Sequence, residues 1–336
     1  MKIFPFISSL ALLVGAAASA GAQEQNLVVT ASNAPTNQLL VYNTSGKLVQ
    51  AVATGGEGGV SGNAGGVTAW NSRLAVVNFG SKNVSLFESG EDGLHLSQII
   101  AADSSPVSVA FGHDHLYILG TTHVESHRVY KYGVDPSPDG IVLLVKADGS
   151  AAQVGVIDTQ LIISEKSNAI ESVDLNWDGA VKGSAALVEN IPSNVNAPFG
   201  LVTRNDDAYV TIAHANEISL VRNDAVVTVT GSGTQSAPCW VTLDGPFLFS
   251  SNSPSMSISR YLVYGMKIVQ EAAVAATLKG DPTDIDYRWG LLSVIDSNGT
   301  VSHLSTFNVD GDGNLTLKSA TTLNSANGIA IVRVGE

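Results

Sequence analysis

Two histidines and one glutamate are the side chains best suited to acid–base chemistry in this 336-residue sequence. His123, Glu165 and His214 each follow a short apolar run of the kind that forms a β-strand. Imidazole titrates near neutral pH, and a carboxylate beside it can exchange the complementary proton. We therefore predict these three residues as candidate catalytic groups. The alternative is that they are solvated loop residues with no chemical role.

Other polar side chains at comparable positions could bind a small molecule. An ammonium group attracts anionic or carbonyl oxygens, and an amide group both donates and accepts hydrogen bonds. The candidate substrate-binding residues are Lys166, Asn78, Asn252, Asn196 and Gln153.

Three aspartates are the weak candidates for a metal site. Asp281 and Asp284 lie close together in the sequence, Asp296 follows, and carboxylate oxygens are good ligands for hard cations. The sequence contains no Cys-x-x-Cys motif and no P-loop, and its single cysteine, Cys239, has no adjacent basic residue that would activate it. We expect no cofactor, with a divalent cation at the aspartates as the alternative.

Seven hairpin turns reveal a repeat that extends along the chain. Each turn lies between two alternating apolar runs, which is a strong short-range hairpin signal, and successive turns are separated by about 45 residues. The turns are at Ser45-Gly46, Asp92-Gly93, Asp139-Gly140, Asp178-Gly179, Asn223-Asp224, Tyr264-Gly265 and Asp312-Gly313.

A second set of markers gives the same count. Short apolar segments that follow proline or small residues recur once per unit, and we predict that each begins an innermost strand. They begin near Val67, Val107, Val154, Phe199, Cys239, Thr283 and Ile329. Four strands in a unit of about 45 residues is the pattern of a β-propeller blade.

The two ends of the repeat complement each other. Residues 27–55 hold three predicted strands, whereas residues 327–334 hold one strand with no hairpin after it. Pairing the last strand with the first three would complete a seventh blade and leave no exposed sheet edge. The sequence therefore predicts an all-β fold, a single seven-bladed β-propeller over residues 23–336 with four-stranded blades.

In such a ring, loops from every blade meet at one end of the central channel. This loop face carries the connections that lead into each innermost strand and the loops that follow each second strand. We predict the ligand site there, because the candidate residues named above fall on these loops. The opposite, turn face carries the turns between first and second strands, including Arg73, Arg204 and Arg288. Their placement argues against a multiply anionic substrate at the loop face.

The N-terminus predicts secretion. Lys2 is followed by an apolar run and by Ala-x-Ala cleavage sites, so residues 1–22 form a predicted signal peptide. Four Asn-x-Ser/Thr sequons, at Asn43, Asn83, Asn298 and Asn314, are compatible with a glycoprotein. We expect an extracellular protein whose stability does not depend on an intramolecular disulfide, since one cysteine cannot form one.

Charge and composition exclude several classes of partner. With 17 basic and 30 acidic residues, the net charge of −13 argues against nucleic-acid binding. No segment after the signal peptide has 18 consecutive apolar residues, so we expect no membrane anchor. A hydrophobic content of 44% is enough for a packed core, and we expect a monomer.

Several strand segments resemble a known family. The sequences LAVVN at 74–78, LFSSN at 248–252, APFG at 197–200 and APCW at 237–240 are similar to the YVTN-type repeats of the lactonase family of seven-bladed propellers. That family includes 6-phosphogluconolactonase-like and 3-carboxy-cis,cis-muconate cyclase-like proteins. The Ser-Glu-Lys-Ser segment around Glu165 is similar to the family's strand-end Thr-Glu-Lys-Gly. The resemblance implies that Glu165 is a functional residue.

Two functions remain open at the level of sequence. The first is a secreted lactonase-like or muconate-cyclase-like protein that binds a small molecule at the channel mouth; if it is an enzyme, it is a lactone hydrolase or a cycloisomerase. The alternative is a non-catalytic extracellular propeller that acts as a binding module or cell-surface antigen, with an extracellular surface partner. The fold alone does not decide between them.

Overall fold

The computed structural model describes residues 25–90, 92–189 and 196–334. The predicted signal peptide lies outside the described residues. Within the described ranges the regular secondary structure is strand, apart from one short 3-10 helix at Ala213–Ala215. No helix in these ranges has the length and apolar character needed to cross a membrane.

The strands form seven sheets, one per blade, in the predicted order along the chain. Blade 1 takes β1 (Gln25–Ala31), β2 (Gln38–Asn43) and β3 (Leu48–Ala53). Blade 2 consists of β4 (Val67–Trp70), β5 (Arg73–Asn78), β6 (Asn83–Gly90) and β7 (Gly93–Ala101). Blade 3 consists of β8 (Pro106–Gly112), β9 (His115–Gly120), β10 (His123–Tyr130), β11 (Gly133–Val134) and β12 (Gly140–Leu143). Blade 4 consists of β13 (Ala151–Val156), β14 (Gln160–Glu165), β15 (Ala169–Asp174) and β16 (Ala186–Leu187).

The remaining blades are regular. Blade 5 consists of β17 (Pro198–Arg204), β18 (Asp207–Ile212), β19 (Glu217–Arg222) and β20 (Ala225–Gly231). Blade 6 consists of β21 (Pro238–Asp244), β22 (Phe247–Asn252), β23 (Ser257–Tyr264) and β24 (Lys267–Thr277). Blade 7 consists of β25 (Asp281–Arg288), β26 (Leu291–Ser297), β27 (Ser302–Val309) and β28 (Leu315–Leu323), and β29 (Asn327–Val334) ends the described chain.

The predicted ring closure is confirmed. Strand β29 pairs antiparallel with β1, with Ile331 opposite Val28 and Ala330 opposite Val29, and so supplies the innermost strand of blade 1. Six of the seven predicted hairpin turns lie between third and fourth strands, and the seventh, Asp139-Gly140, precedes β12 in the interrupted outer strand of blade 3. The all-β, seven-bladed architecture predicted from the sequence is therefore the observed one.

Blade 3 departs from the regular pattern in its outer strand. Two short segments, β11 and β12, replace one continuous fourth strand, and both pair with β10. Pro136 and Pro138 lie between them, and a proline has no N–H to donate to a strand ladder. The interruption therefore follows from the local sequence.

Aromatic side chains pack between neighbouring blades. Trp70 of blade 2 stacks on Phe111 of blade 3 with ring centroids 5.7 Å apart, and Phe199 of blade 5 meets Trp240 of blade 6 edge-on at 5.1 Å. Trp70 and Trp240 therefore contribute to the packing of one blade on the next. Trp289, by contrast, is exposed on the turn face.

Candidate functional site

The channel is closed on the loop face by residues 60–66, the segment that leads into β4. Asn63 is buried and is held by three blades. Its Nδ2 donates to the carbonyl of Val107 at 2.6 Å, its Oδ1 accepts from Asn327 Nδ2 at 3.0 Å, and its carbonyl accepts from Trp240 Nε1 at 3.0 Å. Contacts with blades 1, 3 and 6 therefore fix this segment over the channel mouth where the sequence predicted the ligand.

Lys166, predicted to bind substrate, holds the same segment. Its ammonium group donates to the carbonyl of Gly62 at 2.6 Å and to the carbonyl of Ala151 at 3.2 Å. Burial lowers the pKa of this lysine. The contacts seen for the Lys166 ammonium thus connect the closing segment to blade 4.

Beneath this segment the channel holds a cavity of about 1050 Å³. Its walls run from Ala64 and Gly65 at the closed end to Asn71, Ser72 and Trp289 on the turn face. Since these last three residues are exposed, the cavity opens on the turn face. This is the face opposite to the one predicted from the sequence.

Asp284 is the buried ionisable group of the cavity wall. Its Oδ1 accepts a hydrogen bond from the backbone N–H of Ile285 at 2.9 Å. Burial raises the pKa of its carboxyl group to about 8, so the group is largely protonated at neutral pH. A protonated carboxyl can donate a hydrogen bond to a ligand oxygen.

Asp286 and Arg288 lie further along the same strand toward the mouth. Asp286 Oδ2 accepts from the backbone N–H of Ile331 at 2.7 Å and lies 3.6 Å from Arg288 Nε. The Arg288 guanidinium also donates to the carbonyl of Ala69 at 3.4 Å. Arg288 therefore brings a partly solvated cation to the wall of the cavity.

Trp289 forms part of the mouth in an unusual backbone conformation. Its φ is 50°, and Gly290 follows with φ 72°. Asparagine holds the comparable position in the turns at Asn71 and Asn205 and tolerates this left-handed region, whereas a bulky side chain there is an outlier. The guanidinium carbon of Arg333 lies 4.4 Å from the centroid of the Trp289 ring. Backbone strain of this kind concentrates at functional sites.

Side chains of the inner strands also fasten one blade to the next. The inner edge of each innermost strand faces the channel, so its backbone N–H groups have no strand neighbour on that side. In four places a side chain of one innermost strand accepts a hydrogen bond from a backbone N–H of the next. The accepting side chain and the donating residue are Ser108 and Val154, Gln153 and Leu201, Thr242 and Tyr287, and Asp286 and Ile331. Gln153, predicted to bind substrate, lines the cavity, but its side-chain Oε1 already accepts from the backbone N–H of Leu201.

Glu165 lies at the end of β14 with none of its surface exposed. Its Oε2 accepts from Ser150 Oγ at 2.8 Å, and among the described residues its Oε1 has no hydrogen-bond partner. Burial raises the pKa of this carboxyl to about 8. The contact places Glu165 under the connection between blades 3 and 4, away from the cavity walls described above.

The two predicted histidines belong to other blades. His123 Nδ1 lies 2.9 Å from Thr122 Oγ1 and 3.1 Å from Asp103 Oδ2 in blade 3. His214 is exposed in the 3-10 turn of blade 5, and its backbone N–H donates to the carbonyl of Asn196, also exposed, at 3.1 Å. Within the described part of the chain, no hydrogen bond or ion pair joins any two of Glu165, His123 and His214.

The position of Glu165 recurs in other blades as a structural one. Asn78 ends β5 and accepts from Thr54 Oγ1 at 2.7 Å, which fixes the connection between blades 1 and 2. Asn252 ends β22 and donates to Ser259 Oγ at 2.8 Å. Both amides are fully buried, so the structure places them inside the blades.

The candidate metal ligands do not converge. Asp281 is exposed, Asp284 faces the cavity, and Asp296 is buried against His303 with 2.8 Å between Oδ1 and Nδ1. In the ranges that the structure describes, no group of three or more histidine, cysteine, aspartate or glutamate residues is arranged to hold a metal ion.

The fold, but not the sequence, has recognisable relatives. No protein-family profile matches the sequence, and no curated protein matches it. A protein of unknown function from Desulfotomaculum acetoxidans has a similar structure, with a TM-score of 0.66, 12% identity and coverage of 91% of this chain and 98% of that chain. The putative 6-phosphogluconolactonase of Bacteroides uniformis gives a TM-score of 0.67 at 13% identity, covering 92% and 99%. Virginiamycin B lyase from Staphylococcus aureus gives 0.61 at 13%, covering 93% and 96%.

Proposed function

We propose that the protein is a secreted, lactonase-like propeller that binds a small molecule inside its central channel, reached from the turn face. The observation that carries this proposal is the cavity of about 1050 Å³ between residues 60–66 and Trp289. Small-molecule sites are concave and span roughly 300–1,000 Å³. A propeller channel closed at one end and open at the other therefore supplies a pocket of suitable size.

The chemistry of the walls indicates what kind of group would bind. The neutral carboxyl of Asp284 can donate a hydrogen bond, and the Arg288 guanidinium attracts a carbonyl or carboxylate oxygen. A lactone presents a carbonyl, and its opened product presents a carboxylate. This pairing supports a lactone or hydroxycarboxylate as the ligand.

A non-catalytic binding module is the second candidate. It is favoured by the burial of Glu165 and by the placement of His123 and His214 on separate blades without mutual contact. A nucleophile or general base must come within hydrogen-bond reach of its substrate. Binding in the channel would be common to both candidates.

Thr203→Trp is expected to weaken ligand binding at least about tenfold. Thr203 is half-buried in the cavity wall, and an indole in its place would occupy space that the ligand needs. We expect affinity for any lactone that the wild type binds, from a panel including δ-gluconolactone and homoserine lactone, to fall at least about tenfold. Isothermal titration calorimetry measures the change.

Thr316→Trp is the matched control. Thr316 is exposed on the outer strand β28, far from the channel, so the same substitution there should leave affinity unchanged. If wild type and Thr203→Trp are both folded by circular dichroism and bind lactone with equal affinity, the lactone does not bind in the channel.

If the protein hydrolyses lactones, two sets of variants separate the possible sites. The sequence-based prediction is that alanine at both Glu165 and His214 abolishes turnover. A site in the channel predicts instead that Asp284→Asn lowers turnover and that the double variant, once shown to be folded, keeps it. A pH-stat assay distinguishes the two, since each hydrolysis event releases one proton at neutral pH.

A further inference from the structure

A second cavity on the turn face extends the channel mouth outward between blades 2 and 3. It has a volume of about 300 Å³ and shares Trp70, Asn71 and Ser72 with the channel cavity. Its outer wall includes Tyr130 and Lys131 at the end of the blade 3 hairpin. The two cavities therefore form a continuous path from the channel to the rim, which we call the blade 2–3 groove.

The groove is held rigid by polar and aromatic contacts between blades 2 and 3. Arg73 donates to the carbonyl of Lys131 at 2.6 Å and pairs with Glu88 at 3.2 Å, which ties the two blades together. Trp70 is fixed by stacking on Phe111. A preorganised surface loses little conformational entropy when a ligand binds.

Two exposed tyrosines lie at the rim: Tyr130 lines the groove, and Tyr132 follows two residues later in the blade 3 hairpin. Tyr130 is 53% exposed and Tyr132 is 86% exposed, and Lys131 Nζ lies 5.0 Å from the centroid of the Tyr132 ring. Each ring presents a flat apolar face with a polar hydroxyl at its edge. Exposure of such rings on a rigid hairpin is typical of a recognition surface.

The charge of the protein limits the classes of ligand that could bind in the groove. A net charge of −13 opposes polyanions and anionic lipid surfaces, and the arginine of the groove is already paired with a carboxylate. The aliphatic wall residue, Val129, is itself buried, so the groove exposes aromatic and polar groups without an aliphatic patch. This combination suits a neutral ligand with alternating C–H faces and hydroxyl groups.

We infer that the blade 2–3 groove binds a neutral oligosaccharide whose sugar rings stack on Trp70, Tyr130 and Tyr132, with one end directed at the channel mouth. The C–H face of a pyranose ring packs on the π-face of an aromatic side chain, and its hydroxyls would meet the polar groups of Asn71 and Ser72. The inference does not depend on a lactone in the channel, because Tyr130 and Lys131 line only the groove.

Calorimetric titration with neutral hexasaccharides tests this inference. The panel comprises cellohexaose, xylohexaose, mannohexaose, chitohexaose and laminarihexaose, each compared with its disaccharide. We expect at least one hexasaccharide to bind about tenfold or more tightly than its disaccharide, since the longer chain reaches more rings. Tyr130→Ala should weaken that hexasaccharide about tenfold, whereas Tyr130→Phe should retain it because stacking needs the ring and not the hydroxyl.

Tyr264→Ala is the matched control. Tyr264 is 49% exposed on the blade 6 hairpin, with Lys267 Nζ 5.7 Å from its ring centroid, so it repeats the tyrosine and lysine arrangement away from the groove. Its removal should leave hexasaccharide binding unchanged. The inference is overturned if no hexasaccharide binds, if Tyr264→Ala weakens binding as much as Tyr130→Ala, or if Tyr130 is required for binding to phosphatidylcholine vesicles instead. Loss of lactone binding in Thr203→Trp tests the channel ligand separately.

Discussion

Deletion of residues 327–336 is expected to abolish cooperative folding. The deletion removes β29, whose Ile329, Ile331 and Val332 are buried, and burial of three such side chains stabilises the fold by on the order of 6 kcal/mol. Whole domains are stable by only roughly 5–15 kcal/mol. The deletion also exposes β1 as an open edge. Urea unfolding followed by tryptophan fluorescence should show no cooperative transition.

Adding the missing strand back provides the control. A synthetic peptide of residues 325–336 should restore a cooperative transition to the truncated chain, because it supplies the innermost strand of blade 1. The same peptide with Ile331→Asp should fail, since it would place a charge at a fully buried position. A truncated chain that unfolds cooperatively at the wild-type midpoint would contradict closure by β29.

The protein is expected to lose stability as the pH rises through neutrality. Burial raises the pKa values of Asp284 and Glu165 to about 8, far above the usual values of 3.8 and 4.5. Between the usual and the raised values, the unfolded chain releases these protons while the folded chain keeps them, so increasing pH favours unfolding. We expect the free energy of unfolding to be lower at pH 9 than at pH 5 by about 2 kcal/mol or more.

Neutral substitutions identify the groups responsible. The double variant Asp284→Asn, Glu165→Gln should show a weaker pH dependence between pH 5 and pH 9, because neither amide ionises. Glu171 and Asp296, whose pKa values burial also raises, account for the part that remains. Asp281→Asn, on the same strand as Asp284 but exposed, is the control and should retain the wild-type profile. Urea titrations at pH 5, 7 and 9 measure the effect, and a wild type that is more stable at pH 9 than at pH 5 would contradict it.

The fold could be predicted because its signals are local. Turn dipeptides such as Asp92-Gly93 and Asp312-Gly313 specify hairpins through backbone conformation, and their spacing gives the blade count. The unpaired strand at 327–334 then has one complementary place in the ring. Even the broken outer strand of blade 3 has a local cause in Pro136 and Pro138.

The open end of the channel could not be predicted from the sequence. It is decided by the segment 60–66, and the hydrogen bond from Trp240 to Asn63 joins residues 177 positions apart. No turn or strand pattern encodes such a contact. The sequence shows a glycine-rich segment before an innermost strand, but it does not show the path that this segment takes across the channel.

The polar residues at the ends of second strands could be identified from the sequence, but their recurrence at one position of the repeat indicated a structural role. Asn78, Glu165 and Asn252 hold the same strand-end position in three of the seven blades, and the structure buries all three. A polar residue that recurs at the same position of the repeat is expected to stabilise the blade or its connections. Trp289 is different, because a tryptophan occupies the turn position that asparagine holds at Asn71 and Asn205. A residue that departs from the repeat in this way indicates a local role.

A crystal structure with bound ligand would show directly whether the channel is the binding site. Crystals soaked in the tightest-binding lactone of the panel should show the ligand between residues 60–66 and Trp289, in contact with Asp284 or Arg288. A ligand bound on the loop face, in contact with Lys166 and His214 and leaving the channel empty, would show that the channel is not the binding site.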